Sequence, residues 1–261
     1  MLRLESIRKA FRAGQDVVLA LGGINLALDK GDFLTVIGSN GAGKTTLLNV
    51  IAGTIFPTAG KVMVKGRDVT TLPTHQRARW IGRITQDPLA GTAPMMTIAE
   101  NLALASKRAH RSLRLAITRK RRNEMIDQMV SLGMNLEHRL DDPVSLLSGG
   151  ERQALTVTMA TLAQPEILLL DEHTAALDPA NAARVLLLTQ EFVERLGVTT
   201  IMVTHNMEQA LSLGNRLLMM NNGEVIYDFS GEEKESLTVI DLVDLFSKEH
   251  IVDDELLLKT S

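Results

Sequence analysis

Apolar residues in the central part of the chain form short runs rich in β-branched side chains, and each run ends in polar residues. The runs, with the residues that follow them, are 33–37 before Gly38, 167–170 before Asp171 and Glu172, and 200–204 before His205. Runs that are apolar on both faces are typical of central strands in a parallel sheet that helices cover on both sides. Because function in such sheets gathers at the carboxyl ends of the strands, the polar residues after each run are candidate functional groups.

Helix-type spacing of apolar residues begins directly after the first run. Residues 44–52 have this spacing, and Gly53 follows where a glycine often ends a helix. The middle of the chain predicts three further helices, at 97–106, 121–132 and 149–163. Ser148 and Glu151 form a capping-box sequence at the start of the last helix. We interpret the three helices as a helical subdomain inserted into an α/β core.

Towards the end of the chain the pattern predicts a hairpin and then a helical tail. Residues 216–220 and 224–229 have strand-type spacing, and the Asn-Asn-Gly sequence at 221–223 between them is a hairpin signal. The segment 231–261 is acidic and amphipathic, which predicts one or two surface helices.

The residues after the first predicted strand, 38–45, match the phosphate-binding pattern G-x-x-x-x-G-K-[ST]. Its glycines let backbone N–H groups turn towards phosphate oxygens, and a helix that begins near Lys44 adds the positive end of its dipole. We expect Lys44 to reach the β- and γ-phosphates of a nucleoside triphosphate and the Thr45 hydroxyl to bind Mg²⁺. A plain glycine turn is the alternative, but the strand before it and the helix after it favour the phosphate loop. The predicted nucleotide-binding residues of this loop are Gly38, Ser39, Asn40, Gly41, Ala42, Gly43, Lys44, Thr45 and Thr46.

Two adjacent carboxylates follow the second apolar run. Asp171 fits the carboxylate that helps to hold Mg²⁺ in nucleotide-hydrolysing enzymes, and Glu172 is placed to orient or deprotonate the attacking water. The alternative is a pair of strand-end carboxylates that cap the next turn. The phosphate loop earlier in the chain favours the catalytic interpretation.

Composition narrows the classes of function. With 261 residues, 45% of them hydrophobic, the chain can bury the core of one large or two small folded units. The net charge of −3 gives no global electrostatic case for nucleic acid, and the absence of cysteine fits a reducing cytoplasm. We expect no secretory signal, because the N-terminus has no apolar h-region, and no membrane span, because no stretch reaches about 18 uncharged apolar residues. A role at a membrane would therefore require a partner.

A second glycine-rich segment, Leu-Ser-Gly-Gly-Glu-Arg-Gln at 147–153, narrows the interpretation further. Together with the phosphate loop it makes the chain resemble the ATP-binding cassette (ABC) ATPases, the motor subunits of ABC transporters. The resemblance spans about residues 2–230 and includes six motifs in the order that the family has.

The resemblance implies an α/β fold, with a P-loop NTPase (RecA-like) core, a mostly parallel sheet, an N-terminal antiparallel β region and an inserted α-helical subdomain. The implied division is an ABC ATPase domain at 1–230, with its core at 1–88 and 165–230 and its helical subdomain at 89–164, and a C-terminal helical tail at 231–261.

In the family, the segment around Ser148, Gly149 and Gly150 contacts the γ-phosphate that the opposing subunit holds. The open N–H groups at a helix start suit an anion, and two glycines in the first turn are costly as structure alone. The alternative is an N-cap serine with its capping-box Glu151, and the two roles are compatible.

The order of the family's motifs assigns a role to three more polar residues. Gln86, after the strand-like run 80–85, matches the glutamine that couples Mg²⁺ and the attacking water to the partner subunit; alone it would be a turn residue. His205 matches the switch histidine that contacts the γ-phosphate, although a strand-end histidine is usually structural or capping. Asp178 matches a residue that packs across the dimer, and its alternative is an Asp-Pro turn.

Two aromatic or heterocyclic residues complete the comparison with the family. Phe11 lies where the family often has a tyrosine that stacks on adenine; the alternative is an ordinary core residue. His173 stands where many relatives have proline, and the sequence does not support a catalytic role for it.

The resemblance also implies the partners. Two copies of a single cassette pair head to tail and enclose two ATP molecules, so we expect a homodimer. The chain is then a peripheral subunit at the cytoplasmic face of the cell membrane. It works with separate transmembrane permease subunits and an extracellular or periplasmic solute-binding protein, as in importers of amino-acid type. Segment 89–98, after Gln86, is the expected docking site for the permease.

Two other interpretations remain open at this point. The first is a soluble single-cassette ABC ATPase outside transport, such as an iron–sulfur assembly ATPase. The second is a nucleotide-binding regulator that does not hydrolyse, against which Glu172, Gln86 and His205 argue. The basic segment 107–122 is a solvated helical surface or a contact for anionic lipid.

Overall fold

The computed structural model describes residues 1–14, 16–87, 89–106, 117–162 and 164–249. The strands of the described residues are β1 (Leu2–Ala13), β2 (Asp16–Leu28), β3 (Phe33–Gly38), β4 (Ala59–Val64), β5 (Arg67–Asp68), β6 (Ile81–Ile84), β7 (Ile167–Asp171), β8 (Thr199–Val203), β9 (Arg216–Asn221) and β10 (Glu224–Ser230). The helices are α1 (Lys44–Ala52), α2 (Thr74–Arg77), α3 (Ile98–Ser106), α4 (Arg119–Leu132), α5 (Gly149–Leu162), α6 (Pro179–Leu196), α7 (Met207–Ser212), α8 (Glu232–Glu235) and α9 (Val239–Lys248).

The chain divides into two compact units. The first joins Met1–Arg77 to the chain from Thr199 onward, and the second is Ala78–Val198. The division at residues 89, 165 and 231 that the sequence implies stays a prediction.

The first unit contains an antiparallel sheet with the strand order β2-β1-β4-β5. Leu4 of β1 lies opposite Leu26 of β2 on one side and Val62 of β4 on the other, and all three side chains are buried. Alternation of buried and exposed residues places one face of this sheet in the core. The N-terminal antiparallel β region is confirmed.

Parallel strands form the centre of the first unit. β3 pairs in parallel with β8 on one side and with β9 on the other, and β10 pairs antiparallel with β9. Every residue of β3 and β8 is buried, as the unbroken apolar runs predict. The predicted helix at 44–52 with its terminal Gly53 and the predicted hairpin at 221–223 are also confirmed.

A buried arginine holds the end of α1. The Arg77 guanidinium donates to the carbonyls of Val50 (2.7 Å) and Ile51 (2.8 Å) in α1, and to those of Leu72 (2.7 Å) and Thr70 (2.8 Å). Burial lowers the pKa of Arg77 to about 10, so the group keeps its charge at neutral pH. The guanidinium therefore satisfies carbonyls that the end of the helix leaves without intrahelical donors.

The predicted helical tail is confirmed for the described residues. Thr238 and Asp241 form a capping box at the start of α9, and Leu242 and Phe246 enter a buried cluster of the first unit. The other buried members of that cluster are Ile37, Met207, Ala210, Leu217 and Met219. The predicted tail beyond residue 249 lies outside the described residues.

The second unit contains β6 and β7, which pair in parallel, together with α3, α4, α5 and α6. The helices α3, α4 and α5 confirm the three predicted ones, with ends that differ by one or two residues. Helix α6 was not predicted. Asp178-Pro179, for which an Asp-Pro turn was the alternative interpretation, begins an 18-residue helix, with Asp178 as N-cap and Pro179 in the first turn.

Among the described helices, none combines the length and the apolar character that crossing a membrane requires. Residues 107–116 of the basic segment lie outside the described residues.

Candidate functional site

The phosphate loop of the first unit joins the end of β3 to the start of α1. The Lys44 ammonium lies over this loop and donates to the carbonyls of Gly38 (2.6 Å) and Ser39 (2.9 Å). Ala42, Gly43 and Lys44 are buried, whereas Asn40, Gly41 and Thr45 are exposed. The loop thus places a buried cation beside an exposed backbone surface.

The start of α1 is open to an anion. Its N-cap, Gly43, has a left-handed backbone with φ 97° and provides no side-chain cap, and the first turn contains no acidic residue. The first N–H groups of a helix have no intrahelical acceptor and carry the positive end of the helix dipole. These features fit a bound phosphate group.

His205 lies at the same edge of the parallel strands as the phosphate loop. β8 pairs with β3 through Val203 and Val36, and the Thr204 N–H donates to the Val36 carbonyl (3.2 Å). His205 is therefore the second residue after β8, near the point where β3 enters the loop. The cap of α7 is Asn206, whose side chain accepts from the Gln209 N–H, so His205 is not the capping residue.

Phe11 lies on the antiparallel sheet of the same unit. Its side chain is 42% exposed, opposite Val18 of β2, and the Lys9 ammonium lies 5.0 Å from the ring centroid. This exposure excludes a core position for Phe11. Its contact with adenine stays a prediction.

In the second unit, Asp171 ends β7 as a buried carboxylate. Arg83 of β6 donates to Asp171 Oδ2 at a distance of 3.0 Å. No local sequence pattern indicates this pair, because its members are 88 residues apart. The arginine compensates the charge of a carboxylate that is largely withdrawn from water.

Glu172 has a left-handed backbone, with φ 47°. Such a conformation costs a residue with a Cβ about 1–3 kcal/mol, and strained residues of this kind cluster at functional sites. The half-buried Glu172 directly follows Asp171. Glu172 thus has a strained backbone and directly follows a buried strand, which fits a residue that must be held in place for chemistry.

Gln86 follows β6 at the same edge as these carboxylates. Ile84 pairs with Leu170, so Gln86 and Glu172 each lie two residues beyond this pair. Gln86 is exposed, and the turn after it is made by Asp87, which accepts from the Leu89 N–H (2.9 Å). The register therefore brings Gln86, Asp171 and Glu172 to one edge of the β6–β7 pair.

The second glycine-rich segment begins α5 with the predicted capping box. The Ser148 N–H donates to Glu151 Oε2 (2.7 Å), and the Glu151 N–H donates to Ser148 Oγ (3.3 Å). Arg139 also donates to Glu151 Oε1 (3.0 Å), which fixes the carboxylate.

The two glycines of this segment differ in their surroundings. A Cβ at the buried Gly150 would lie 2.6 Å from Asn181 Cγ, so packing against α6 requires glycine there. A Cβ at the exposed Gly149 would meet Leu177 Cδ2 at an ordinary 3.5 Å. Packing thus explains Gly150, whereas Gly149 is free of that constraint and keeps the start of α5 open.

Two neighbouring polar residues have structural partners. Asp178 accepts from the Asn181 side chain (2.6 Å) and N–H (3.1 Å), and these hydrogen bonds lower the pKa of Asp178. The buried His173 lies with Nε2 3.3 Å from Thr189 Oγ1. Thr189 already donates its proton to the Val185 carbonyl, so Nε2 of His173 is the donor. Burial lowers the pKa of His173 to about 4 and keeps the ring neutral.

Comparison with known proteins identifies the family. The family model described as "ABC transporter" matches residues 21–175, which is more than half of the chain. The chain is 39% identical over 248 residues to the tyrosine transport ATP-binding protein of Clostridioides difficile (strain R20291), covering 94% of this chain and 98% of that protein. It is 33% identical over 229 residues to the methionine import ATP-binding protein MetN of Halalkalibacterium halodurans, covering 87% of this chain and 65% of that protein.

Comparison with solved structures also finds ABC transporter cassettes. The dimeric structure of MJ0796, a bacterial ABC transporter cassette, has a TM-score of 0.77 and 27% identity, and the match covers 88% of this chain and 98% of that one. The ADP conformation of MJ1267, also a cassette of an ABC transporter, has a TM-score of 0.76 and 26% identity, with 99% and 98% covered. The predicted P-loop NTPase fold is confirmed, and an iron–sulfur assembly ATPase is not favoured. The chain therefore belongs to the ABC transporter family, as one of its ATP-binding and ATP-hydrolysing cassettes.

Proposed function

We propose that this cassette powers the import of a small solute of amino-acid type. The observation that carries the proposal is the likeness, over nearly the full length of both chains, to a tyrosine transport ATP-binding protein. The MetN relative, named for methionine import, supports the same class of solute. The solute is expected to bind to other subunits, and the cassette supplies the energy.

In the first unit, the phosphate loop binds the triphosphate. The uncapped N–H groups at the start of α1 and the Lys44 ammonium provide the positive surroundings that phosphate oxygens require. Phe11, with its exposed ring, stacks on the adenine base. His205, at the same edge as the loop, contacts the γ-phosphate.

The residues present fit Mg²⁺. Thr45 in the first unit has a hydroxyl, and Gln86 and Asp171 in the second have amide and carboxylate oxygens; each is of a type that this ion prefers, and each is a proposed ligand. Among the described residues, no group of three or more histidine, cysteine or acidic side chains is placed to hold a metal ion. When bound, Mg²⁺ neutralises charge on the phosphates.

Glu172 is the general base of the hydrolysis. Its carboxylate accepts a proton from the water that attacks the γ-phosphorus, while the bond from this phosphorus to the bridging oxygen breaks and leaves ADP. The left-handed backbone of Glu172 is the kind of strained conformation that clusters at functional sites. Gln86, at the same edge, orients the water.

Two cassettes pair head to tail. The dimeric structure of the related cassette MJ0796 supports the pairing of two copies. In this arrangement Ser148, Gly149 and Gly150 contact the γ-phosphate that the second copy holds, and Asp178 lies at the interface. The Ser148 hydroxyl accepts from the Glu151 N–H in the capping box and keeps its own proton for this contact, and the exposed Gly149 lies beside it. ATP binding closes the dimer and hydrolysis opens it.

The cassette works at the cytoplasmic face of the membrane, with separate permease subunits and an extracellular or periplasmic solute-binding protein. The permease docks on segment 89–98. Met95 is 87% exposed and Leu89 is 44% exposed, which gives this segment an apolar surface. Met95 and Met96 could also be interpreted as the apolar start of α3, but the exposure of Met95 does not agree with that role.

Crosslinking tests this proposal. The chain has no cysteine, so a Met95→Cys variant introduces a unique thiol. Co-expressed with the permease and treated with a bifunctional thiol reagent, it should crosslink to a cytoplasmic permease loop that carries an engineered cysteine. A matched Leu187→Cys variant, exposed on α6, should not crosslink.

The same purified complex, reconstituted with its solute-binding protein, should hydrolyse ATP faster when tyrosine or methionine is added. A complex that stays intact but crosslinks at no position from 89 to 98 would contradict the docking site. An ATPase rate that no amino acid changes would contradict the solute class.

A further inference from the structure

The turn between β9 and β10 touches the phosphate loop. Asn222 and Gly223 both have left-handed backbones, with φ 48° and 80°, as in the tight turns that match the twist of a hairpin. The Gly223 N–H donates to the Ala42 carbonyl in the loop (3.0 Å). This hydrogen bond joins two segments that are far apart along the chain.

The same turn is also fixed to β2. The Gly22 N–H donates to the Gly223 carbonyl (2.8 Å). Gly223 therefore uses both of its backbone polar groups to connect the phosphate loop with the antiparallel sheet.

The three backbones approach too closely for side chains. A Cβ at Gly43 would lie 2.6 Å from the Ala20 carbonyl oxygen and 3.4 Å from the Gly223 Cα. A Cβ at Gly223 would lie 2.7 Å from the same Ala20 oxygen. The loop, the turn and β2 are thus packed backbone against backbone, and any added atom must move one of them.

The bond to Ala42 sets the direction of a neighbouring donor. In a planar trans peptide the C=O of one residue and the N–H of the next point in opposite directions. Because the Ala42 C=O points to Gly223, the Gly43 N–H points away from the turn. Phosphate loops bind oxygens through such oriented N–H groups, so the turn helps to preset the donor geometry.

We propose that the 221–223 turn holds the phosphate loop in its binding shape and that Gly223 is a positioning residue for nucleotide binding. The inference rests on the proposed role of the loop in binding nucleotide. It assigns to the β9–β10 hairpin a part in ATP affinity, although the hairpin itself need not contact the nucleotide.

Substitution of Gly223 tests the proposal. In Gly223→Ala the added Cβ displaces the turn and weakens its bond to Ala42, so ADP and ATP should bind about tenfold more weakly or worse. Gly214→Ala is the matched control, because Gly214 also has positive φ, at 70°, and its Cβ would lie 2.1 Å from the Phe33 carbonyl oxygen. Phe33 begins β3, at the opposite end from the phosphate loop.

Both variants should melt at lower temperature than the parent, but only Gly223→Ala should lose nucleotide affinity in a calorimetric titration. Equal affinity losses in the two variants, or unchanged affinity in Gly223→Ala, would overturn the proposal. A parent protein that binds no nucleotide would instead overturn the proposed function, which keeps the two failures distinct.

Hydrogen exchange tests the proposal on the parent protein, so the result does not depend on whether a variant folds. If the turn supports the loop for nucleotide, then nucleotide must support the turn to the same extent. ADP should therefore slow the exchange of the Gly223 amide, while the Val69 amide, which donates to Val62 in the antiparallel sheet, should be unaffected. Unchanged exchange at Gly223 in the presence of saturating ADP would contradict the inference.

Discussion

At the scale of single residues, two neighbours after β7 have opposite characters. Glu172 is half-buried with a strained backbone, whereas His173 is buried, neutral and bonded to Thr189. We propose the first as a catalytic carboxylate, whereas the second packs against Thr189 of α6. Substitution of Glu172 should therefore affect ATP turnover, and substitution of His173 should affect the pH dependence of stability.

Replacing Glu172 by glutamine should separate ATP binding from hydrolysis. The amide has nearly the same shape but cannot accept a proton from water, so the turnover rate should fall about a hundredfold or more while ATP affinity stays near the parent value. Phosphate release and calorimetric titration measure the two quantities. Glu191→Gln, an exposed change on α6, should leave both unchanged. Parent-like turnover in Glu172→Gln would remove the residue from the mechanism.

His173 should make the stability of the fold depend on pH. Its pKa is lowered from 6.5 to about 4, so the unfolded chain takes up a proton as the pH falls through 6.5 while the folded chain does not. Stability that is present above pH 6.5 is therefore lost towards pH 4, by up to about 3 kcal/mol.

Denaturant unfolding at a series of pH values between 7 and 4 measures this loss for the parent and for His173→Gln. The glutamine variant keeps a donor for Thr189 but has no titrating ring, so its stability should fall less steeply over this range. Identical slopes for the two proteins would show that His173 does not titrate on unfolding.

At the scale of elements, a lysine joins the C-terminal helices to α7, the helix that follows His205. The buried Lys234 of α8 donates to the carbonyls of Leu211 (3.1 Å) and Gly214 (2.7 Å) and also to that of Leu213. Burial lowers the pKa of Lys234, and the carbonyls at the end of α7 replace the water that its ammonium loses. Apolar packing of α9 beside this contact completes the junction.

Lys234→Met should destabilise the first unit by about 1–3 kcal/mol, because it removes a charged donor from buried carbonyls. Lys248→Met, an exposed change at the end of α9, should have an effect close to zero. Chemical denaturation of both variants provides the comparison. Equal stabilities would mean that water replaces the ammonium at the end of α7 without cost.

At the scale of the whole molecule, the proposed site is complete only when two copies meet. In the proposed head-to-tail dimer, Ser148 and the phosphate loop of one chain would serve two different nucleotides. The capping box places the exposed Ser148 at the start of α5, where it can face a second copy.

Ser148→Arg should block hydrolysis without weakening ATP binding to the phosphate loop of the same chain. The added side chain would occupy the place of the partner's γ-phosphate, so the dimer should fail to close around ATP. Turnover, nucleotide affinity and sedimentation with ATP measure the three consequences. Ser145→Arg, an exposed change in the turn before this segment, is the matched control. Full activity of the Ser148→Arg homodimer would refute the head-to-tail arrangement.

The sequence by itself determined the features that depend on neighbouring residues. A buried strand, a glycine loop and a helix at 33–52 follow from local apolar spacing and from the turn chemistry of glycine, and the structure shows them with nearly the predicted ends. The capping box of Ser148 and Glu151 and the hairpin at 221–223 are local in the same sense. The sequence alone supports the resemblance to ABC ATPases, because the motifs that carry it are short and contiguous.

Only the tertiary structure decided which residues support these motifs. Arg83 beside Asp171, Asn181 against Gly150 and Gly223 against Ala42 are contacts between segments distant in the chain. The spacing of apolar residues does not predict such pairs, because it indicates which face of an element is buried and not which residues cover that face. The left-handed backbone of Glu172 could not be predicted for a related reason. Such a conformation costs free energy locally, and it persists only where the surrounding packing outweighs that cost.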